Sequence, residues 1–439
     1  MTTPSASAPQ PLVIPVAEHG ISRDRLDPDA LSVLERLAAA GYQAYLVGGG
    51  VRDLYLGKNP KDFDISTDAH PGQIRKVFRN SRTIGRRFRL VQVFFGGKKI
   101  IEVSTFRCRS EFDQESSDKV LAANNTFGNE VDDAFRRDLT INGIFYDQAE
   151  ESVIDYVGGV ADLDDKVVRV IGEPERRITR DPVRMMRAVR HAARAGFTIE
   201  PATLAAVKDH LSDLSVCPVS RVRDELFKDL HHVATGPWVE LAAECGLFQE
   251  LLPMYRGLEP DVYQEVARLM AVSDRLQAAD IRLPDDILLA LLFLPWAQAT
   301  YTEMGQELKT GEAFQLSRQI RDRLGKELKH LDIKRAAKEQ IATLLALLPI
   351  FHQTASRGWP KWFQRKSYFK EGLLFFSLWQ EAKGGDPVDP ELLPRPATPP
   401  PVRRSARKPA RRSRGPAYAV KKQKGGVFGF KQNEVKRKK

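Results

Sequence analysis

Two aspartates separated by a single residue, Asp62 and Asp64, form the pair most able to do chemistry. They lie in a predicted strand over 61–67, where alternate side chains share one face, so both carboxylates face outward while Phe63 faces the core. Two like charges this close repel each other unless a cation lies between them, and Mg²⁺ binds one or two carboxylates together with phosphate oxygens and water. Taken alone, so short a tripeptide fits a solvated strand edge better.

A run of three glycines, Gly48–Gly50, lies upstream between a predicted strand and a predicted helix. Glycine lets the backbone approach a phosphate closely, and the N–H groups at the start of a helix favour anions. Arg52 adds a guanidinium that can donate to phosphate. No Gly-Lys-Ser/Thr follows, so the segment is not a Walker A loop. Gly49, Gly50 and Arg52 are therefore predicted to bind nucleotide phosphates beside a metal site formed by the two aspartates.

Hydrophobic periodicity divides the chain into three parts that would position these residues. Short apolar strands alternate with helices up to about residue 165, and helical spacing dominates from residue 181 onward. The predicted fold class is α+β: an α/β head with a mixed sheet, then all-helical neck and body domains and a basic tail. The predicted boundaries are a disordered N-terminus over 1–24, the head over 25–165, the neck over 166–235, an RNA-binding body over 236–385 and a disordered tail over 386–439.

Composition excludes several classes of protein. With 439 residues, 42% hydrophobic and 28% charged, the chain is neither collagen-like nor wholly disordered. Three widely spaced cysteines form no zinc motif or disulfide framework. The apolar run 287–296 is too short to span a membrane, and no basic residue precedes the N-terminal apolar patch as a signal peptide requires. These observations predict a cytoplasmic protein without a membrane span.

The positive charge of the chain is concentrated at its C-terminal end. Arg395–Lys439 contains 16 basic residues and one acidic residue, whereas the preceding residues carry a net charge of −4. Such a run predicts an element that binds the RNA backbone through its phosphates.

Four ordered segments resemble the motifs of the class II nucleotidyltransferases, the family of bacterial poly(A) polymerases and CCA-adding enzymes. They are Leu46–Thr67, Arg136–Asn142, Asp155–Leu163 and Asp181–Ala188. The resemblance implies a nucleotidyltransferase head, two Mg²⁺ ions held by the paired aspartates, and ATP as a substrate.

The second of these segments adds further residues to the predicted site. The resemblance implies that Asp138 is the third carboxylate, and we prefer it to Glu102, which lies in another predicted strand and could instead be a salt-bridge partner. Arg136 and Arg137 would contact the triphosphate or the ribose. We place them at the start of a helix, where cations oppose the helix dipole, and this placement favours a nearby anion.

The fourth segment implies that a helix reads the base. A carboxylate at Asp181 can accept from an exocyclic amine and a guanidinium at Arg184 can donate to a ring nitrogen, a pattern that fits adenine and cytosine; Arg187 follows on the same side. In isolation, a capping aspartate on an arginine-rich exposed helix explains the pattern equally. Arg180 stands where the family has a glutamate, so Arg184 is expected to be oriented by Asp181 alone or by another acid such as Glu173 or Glu175.

These motifs do not separate the two kinds of enzyme in the family. Segment 84–93 resembles bacterial poly(A) polymerases, although Gln92 stands where a histidine is usual, and a basic tail suits primers of varied sequence. The sequence therefore predicts a monomeric enzyme that adds AMP to RNA 3′ ends without a template and releases pyrophosphate. The alternatives are a CCA-adding enzyme and a non-catalytic RNA-binding protein.

Overall fold

A computed structural model describes residues 10–85, 90–108, 127–355 and 358–394 of the chain. Segment 86–89, within the stretch that resembles poly(A) polymerases, and the basic residues 395–439 lie outside the described residues.

An eight-stranded mixed sheet forms the head, as predicted. Its strand order is β1-β8-β7-β2-β3-β6-β5-β4, and β3 and β6 are its parallel neighbours while the other pairs are antiparallel. The strands of the described residues are β1 (Leu12–Ile14), β2 (Ala44–Val47), β3 (Asp64–Thr67), β4 (Ser81–Ile84), β5 (Leu90–Phe94), β6 (Ile100–Thr105), β7 (Ile144–Asp147), β8 (Ser152–Asp155), β9 (Val167–Val168) and β10 (Thr198–Ile199).

Helices cover the sheet and form the rest of the described chain, connected in places by short 3₁₀ turns. They are α1 (Pro28–Ala39), α2 (Gly49–Tyr55), α3 (Pro71–Val77), α4 (Glu130–Arg136), α5 (Gly159–Asp164), α6 (Pro174–Arg180), α7 (Val183–Ala195), α8 (Pro201–Asp209), α9 (Val219–Leu230), α10 (Thr235–Glu244), α11 (Leu247–Leu251), α12 (Pro260–Ala278), α13 (Asp285–Thr300), α14 (Thr310–Glu327), α15 (Arg335–Ala355), α16 (Lys361–Gln364) and α17 (Phe369–Ala382).

Local sequence explains the elements nearest the site. Helix α1 begins after Asp27, whose carboxylate accepts from two backbone N–H groups of the first turn, and its apolar positions are buried. Strands β5 and β6 form a hairpin, and its turn contains Gly97 at φ +71°. The hairpin lies next to β3 in the sheet, which brings the residues of β6 beside the paired aspartates.

The structure differs from the predicted domain edges in three details. The N-terminus predicted to be disordered contains β1, which pairs with β8 and buries Ile14; an extended apolar segment gains ladder hydrogen bonds at an open sheet edge. The neck is not all-helical, because β9 and β10 form a parallel pair within it. The tail predicted to begin at residue 386 starts with an attached segment, since Val388 is buried and its N–H donates to Glu381.

The helical body packs around α13, whose residues Ile287–Ala297 are all buried. Helices α12, α15 and α17 pack against it, so this apolar run is explained by burial in a protein core. Within the described parts of the chain, no helix has both the length and the apolar character to cross a bilayer.

Candidate active site

The paired aspartates lie at the beginning of β3 and not along it. Strand β3 begins at Asp64, and Asp62 belongs to the preceding loop, so the predicted strand over 61–67 is too long. Both residues are nevertheless exposed, while Phe63 between them packs against the core. The two aspartates are also close enough for Asp62 to raise the pKa of Asp64. The loop therefore presents Asp62 beside the strand residue without the strand alternation on which the prediction relied.

A third carboxylate, Glu102, lies beside Asp64. The two residues are directly paired in the parallel register of β3 and β6, so their side chains point to the same face. Desolvation by the surrounding protein, followed by the charge of Glu102, raises the pKa of Asp64 to about 6, while Arg137 works in the opposite direction. Gln92, the register partner of Glu102 on β5, donates to its Oε1 atom over 3.0 Å. This amide holds Glu102 in place without neutralising it.

Asp138, which we preferred as the third carboxylate from the sequence, forms an ion pair with a residue of the neck helix. Its Oδ2 atom accepts from Nε of Arg187 on α7 over 2.5 Å. Burial raises the pKa of Asp138, but Arg187, His191 and Arg184 outweigh this effect and hold it well below its usual range. The carboxylate that neighbours Asp64 is therefore Glu102, whereas Asp138 joins the head to the neck helix. Arg187, which was predicted to lie on the base-reading side of the helix, is the partner of Asp138 in this ion pair.

The glycine run places the loop that carries Asp62. A Cβ atom on Gly50 would lie 3.1 Å from the backbone oxygen of Asp62, so glycine allows α2 to pack directly on this loop. Gly48 adopts φ +74°, and a Cβ atom there would lie 3.3 Å from Nη1 of Arg137. Gly49 begins α2 and lies against the guanidinium of Arg52. The turn thus packs against both the loop that carries Asp62 and the guanidinium of Arg137.

Arg52, predicted to bind phosphate, is a buried structural residue with 4% exposure. It donates through Nε and Nη2 to Oδ1 of Asp53, and its Nη1 atom donates to Oδ1 of Asn142 over 2.7 Å. The same Nη1 atom lies 3.2 Å from Nδ1 of His191 on α7. Burial and the charge of Arg52 hold the pKa of His191 well below its usual range, so the neutral ring can accept this bond. The structure therefore assigns Arg52 to the contact between α2 and α7.

Arg136 and Arg137 lie at the end of α4, not at the start of a helix as predicted. Cations are favourable at a helix C-terminus, so the dipole argument for a nearby anion is wrong. Their position is instead set by Asp133, which is fully buried and forms ion pairs with both guanidiniums. The backbone N–H of Arg107 also donates to Asp133. Burial, followed by the positive charge of Arg136, lowers the pKa of the Arg107 guanidinium. The Asp133 carboxylate is therefore shared by the guanidiniums of Arg136 and Arg137 and by the backbone N–H of Arg107.

We expect Asp133→Asn to destabilise the protein by about 3–5 kcal/mol, because breaking a buried ion pair leaves uncompensated charge. Burial raises the pKa of Asp133, but the two arginines lower it further, so its net shift is downward from 3.8. The stabilisation is therefore present above pH 3.8 and is lost as the pH falls through the folded-state pKa. Urea unfolding at several pH values measures this difference. Asp132→Asn removes a negative charge from the first turn of the same helix but keeps an oxygen that can accept from the Asn129 N–H. It is the control and should cost at most about 1 kcal/mol.

The predicted base-reading residues lie where α6 meets α7. Asp181 precedes α7 and is held by Arg221 of α9, with Nη1 2.9 Å from Oδ1 and Nη2 3.3 Å from Oδ2. Arg184 lies 4.0 Å from the same carboxylate, and its Nη1 atom donates to the backbone oxygen of Arg177 over 2.9 Å. The expectation that Glu175 could orient Arg184 is not met, because Glu175 pairs with His210.

Sequence reasoning missed three residues that organise the site: Asp133, His191 as a partner of Arg52, and Arg221. Asp133 lies one helical turn before the arginine pair, a spacing that could have revealed it. Arg221 lies 40 residues from Asp181, and no local pattern connects them.

The family resemblance implies Mg²⁺, and the acidic residues fit this ion. Asp62 and Asp64 offer exposed, hard oxygen donors. Desolvation, followed by the negative charge of Glu102, raises the pKa of Asp64, and a bound cation would favour its ionised form. Within the described ranges, no group of three or more acidic, histidine or cysteine residues is already arranged to hold a metal. A pair of carboxylates is nonetheless the usual protein contribution to Mg²⁺ sites that also bind substrate phosphates.

The mixed sheet, the aspartate pair and the surrounding arginines define the head of a nucleotidyltransferase. Residues 44–169 match the family described as the Poly A polymerase head domain. Residues 196–258 match the family described as the probable RNA and SrmB-binding site of polymerase A.

Comparison with individual relatives shows which nucleotidyltransferases the chain is similar to. The chain is 42% identical to poly(A) polymerase I of Salmonella typhi over 317 residues, which cover 69% of this chain and 68% of that protein. It is 47% identical to poly(A) polymerase I of Escherichia coli O6:H1 over 256 residues, 57% of this chain, and spans 55% of that relative's length. A crystal structure of the Bacillus stearothermophilus CCA-adding enzyme in complex with CTP matches with a TM-score of 0.61 and 27% identity, over 82% of this chain and 80% of that one. The chain belongs to the poly(A) polymerase I family.

Proposed function

We propose that the protein transfers AMP from ATP to the 3′-hydroxyl of RNA without a template and releases pyrophosphate. The observation that carries this proposal is the acidic face of β3 and β6, exposed and adjacent to the arginines of α4, in a chain 42% identical to a poly(A) polymerase I over 317 residues. Acidic groups for a metal beside cations for a triphosphate are what nucleotidyl transfer requires.

Each group near the aspartates has a distinct role in this mechanism. Asp62 and Asp64 would hold Mg²⁺, which when bound supplies charge stabilisation at the phosphate undergoing substitution. Arg137 is 15% exposed at its side chain and lies close enough to Asp64 to lower its pKa, so it is placed to contact the triphosphate. Glu102 is the third carboxylate of the site and can accept the proton of the RNA 3′-hydroxyl.

Asp181 and Arg184 would read the Watson–Crick edge of the incoming base. Both side chains are 13% exposed, so a few polar atoms remain accessible while the rest are fixed by protein contacts. A fixed carboxylate and guanidinium favour a base that presents an amine beside an acceptor nitrogen. Adenine and cytosine share that pattern, and guanine and uracil do not.

Incorporation of labelled AMP into an unstructured RNA, with and without Mg²⁺, tests the proposal directly. We expect Mg²⁺-dependent extension with release of pyrophosphate. Binding of RNA without any incorporation would instead support a non-catalytic RNA-binding protein.

The alternative activity, CCA addition, is favoured by the structural similarity to the CCA-adding enzyme in complex with CTP. Transfer RNA that lacks its 3′ end, offered with CTP alone, distinguishes the two activities. Efficient addition of two cytidines would identify a CCA-adding enzyme. Our proposal expects little CMP incorporation with CTP alone, and long adenosine tracts on either RNA when ATP is supplied instead. The cytoplasmic location and the monomeric state stay predictions.

Deleting residues 395–439 should raise the KM for RNA and leave the KM for ATP unchanged. The segment contributes 16 basic residues and one acidic residue, and backbone electrostatics dominate binding to varied RNA. The dependence of log K on log salt should become shallower by about 0.7 for each single-strand phosphate that the segment neutralises in the full chain. An unchanged salt dependence would contradict the predicted role of the tail in RNA binding.

A further inference from the structure

A group of exposed basic and aromatic residues lies in the body, far along the chain from the acidic site. We call it the Trp362 patch and define it by Lys361, Trp362, Arg365, Lys366 and Lys370, with Phe314 of α14 nearby. Trp362 is 53% exposed and Phe314 is 44% exposed, and the four basic residues are also exposed. Phe314 contacts the patch through Tyr368, whose ring centroid lies 6.2 Å from its own. An exposed tryptophan is unusual enough to need an explanation.

The geometry of α16 separates the patch from the core. Lys361 and Trp362 lie about 100° apart on this short helix, and Phe363 projects further round it. Arg365 and Lys366 follow the end of the helix, and both are exposed. Phe363 is accordingly 1% exposed. Its ring lies 4.9 Å from that of Phe351 and 5.6 Å from that of Trp362. Trp362 is therefore an exposed ring that rests on a packed aromatic core, which limits the entropy lost when another ring stacks on it.

The charge of this segment differs from that of its surroundings. Residues 358–370 contain four basic and no acidic residues, although acidic residues outnumber basic ones over 1–394. Within the described part of the chain, none of the four basic side chains lies within ion-pair distance of a carboxylate. The patch therefore combines unpaired positive charge with exposed aromatic rings.

We propose that the Trp362 patch binds single-stranded RNA, with a base stacked on Trp362 and phosphates contacted by the surrounding lysines and arginine. Cationic surfaces with interleaved aromatic side chains bind single strands in this way without sequence preference. The proposal rests on the proposed function, since it assigns the patch to the same RNA substrate.

The position of the patch indicates which part of the RNA it meets. Helix α7 packs against α10, α10 against α12, and α12 against α17, the helix that follows the patch. Three packing steps therefore separate the patch from the base-reading residues, and it also lies outside residues 196–258, the matched RNA-binding segment. With the 3′ end at the acidic site, the patch would contact nucleotides toward the 5′ side, and only an RNA long enough to reach it would benefit.

The experiment measures binding of a labelled 20-nucleotide unstructured RNA to the full chain by fluorescence anisotropy. We expect Trp362→Ala to weaken binding about 10-fold, within the range for loss of one stacked base, and Trp362→Phe to restore most of it. Replacing Lys361, Arg365 and Lys366 together by glutamine should reduce the salt slope by about 2. RNA should also quench tryptophan fluorescence in the wild type more than in Trp362→Phe.

Two comparisons separate this inference from a general loss of charge or function. The matched control replaces Lys326, Lys329 and Lys334, three exposed lysines of the same body, by glutamine and should leave the affinity near that of the wild type. Incorporation of AMP into a trinucleotide primer should be equal in all variants, because so short an RNA does not reach the patch.

Equal affinity of wild type and Trp362→Ala would overturn the inference, as would equal losses in the matched control. Either result could occur while incorporation is normal, which would leave the proposed function standing and point to an acidic protein partner for the patch. If the wild type incorporates no nucleotide at all, the proposed function fails, and the binding measurement still decides whether the patch holds RNA.

Discussion

Replacing Asp64 by asparagine should lower the rate of AMP incorporation by more than about 100-fold, because loss of a residue behind the metal ligands already costs 10–100-fold and a ligand should cost more. Asp62→Asn should have a comparable effect, although Asp62 lies in the loop and Asp64 in the strand. Both carboxylates are exposed, so neither substitution removes a side chain from the core. Steady-state incorporation at saturating ATP and RNA measures the loss.

Stability serves as the control for these variants. The unfolding midpoint should stay the same or rise, since removal of one carboxylate relieves the repulsion that helps to raise the pKa of Asp64. A variant that unfolds more easily would make the kinetic loss ambiguous, whereas a stable variant with near wild-type activity would contradict the metal-binding role of the pair.

The same assay decides which residue is the third carboxylate. Glu102→Gln should reduce incorporation nearly as much as Asp64→Asn, because Glu102 is the register partner of Asp64. Asp138→Asn should act differently: it leaves Arg187 without its partner and should weaken the contact between head and neck, which lowers the stability of the protein. If only Asp138→Asn abolishes turnover in a stable protein, Glu102 is not catalytic.

Local sequence predicted much of this arrangement because the signals were local. The division into a head with alternating strands and helices and a helical remainder followed from hydrophobic periodicity, which is a local signal. The aspartate pair was found from its residue types and spacing, together with the glycine run upstream. The residue at which the strand begins was not predicted correctly, because a loop and a strand edge give the same sequence pattern at Asp62.

The roles of the charged residues depended on partners that are distant in sequence. Arg52 was assigned to phosphate because an arginine beside a glycine turn normally suits one, but Asn142 and His191 occupy its donors. Asp138 was preferred to Glu102 because the motif contains it, yet Arg187 on another domain pairs with it. Pairing of a buried charge is a property of the folded chain, and a single sequence does not reveal which partner wins.

The second large expected effect is a change in base selection when Arg184 is replaced. Its guanidinium is fixed by the backbone oxygen of Arg177 and lies 4.0 Å from Asp181, which is itself held by Arg221. A donor fixed in this way penalises a base that presents another donor, because the mismatched pair would bury two unsatisfied groups. We therefore expect the wild type to prefer ATP strongly over GTP and UTP, with some tolerance of CTP.

Arg184→Ala should lower kcat/KM for ATP and reduce the ratio of ATP to GTP use by about 10- to 100-fold, since one well-placed base contact contributes roughly 1–3 kcal/mol of discrimination. Single-nucleotide incorporation on an unstructured RNA, with each of the four nucleotides in turn, measures this ratio. The change in the ratio of ATP to GTP use is a sharper test than the total loss of kcat/KM. A variant whose kcat/KM falls equally for all four nucleotides would contradict base reading and show that Arg184 binds phosphate or supports the fold.

Arg221→Ala extends the test to a residue that is placed behind the base-reading pair. Without Arg221, the Asp181 carboxylate loses its bidentate partner and becomes free to turn toward Arg184 or away from the base. The preference for ATP over GTP should therefore fall, while the rate of AMP incorporation at a fixed ATP concentration changes less. Arg223→Ala is the matched control, because Arg223 lies on the same helix but pairs with Asp224 and Asp332 at the surface. Equal selectivity in the two variants would show that Asp181 keeps its orientation without Arg221, and the discrimination would then rest on Arg184 alone.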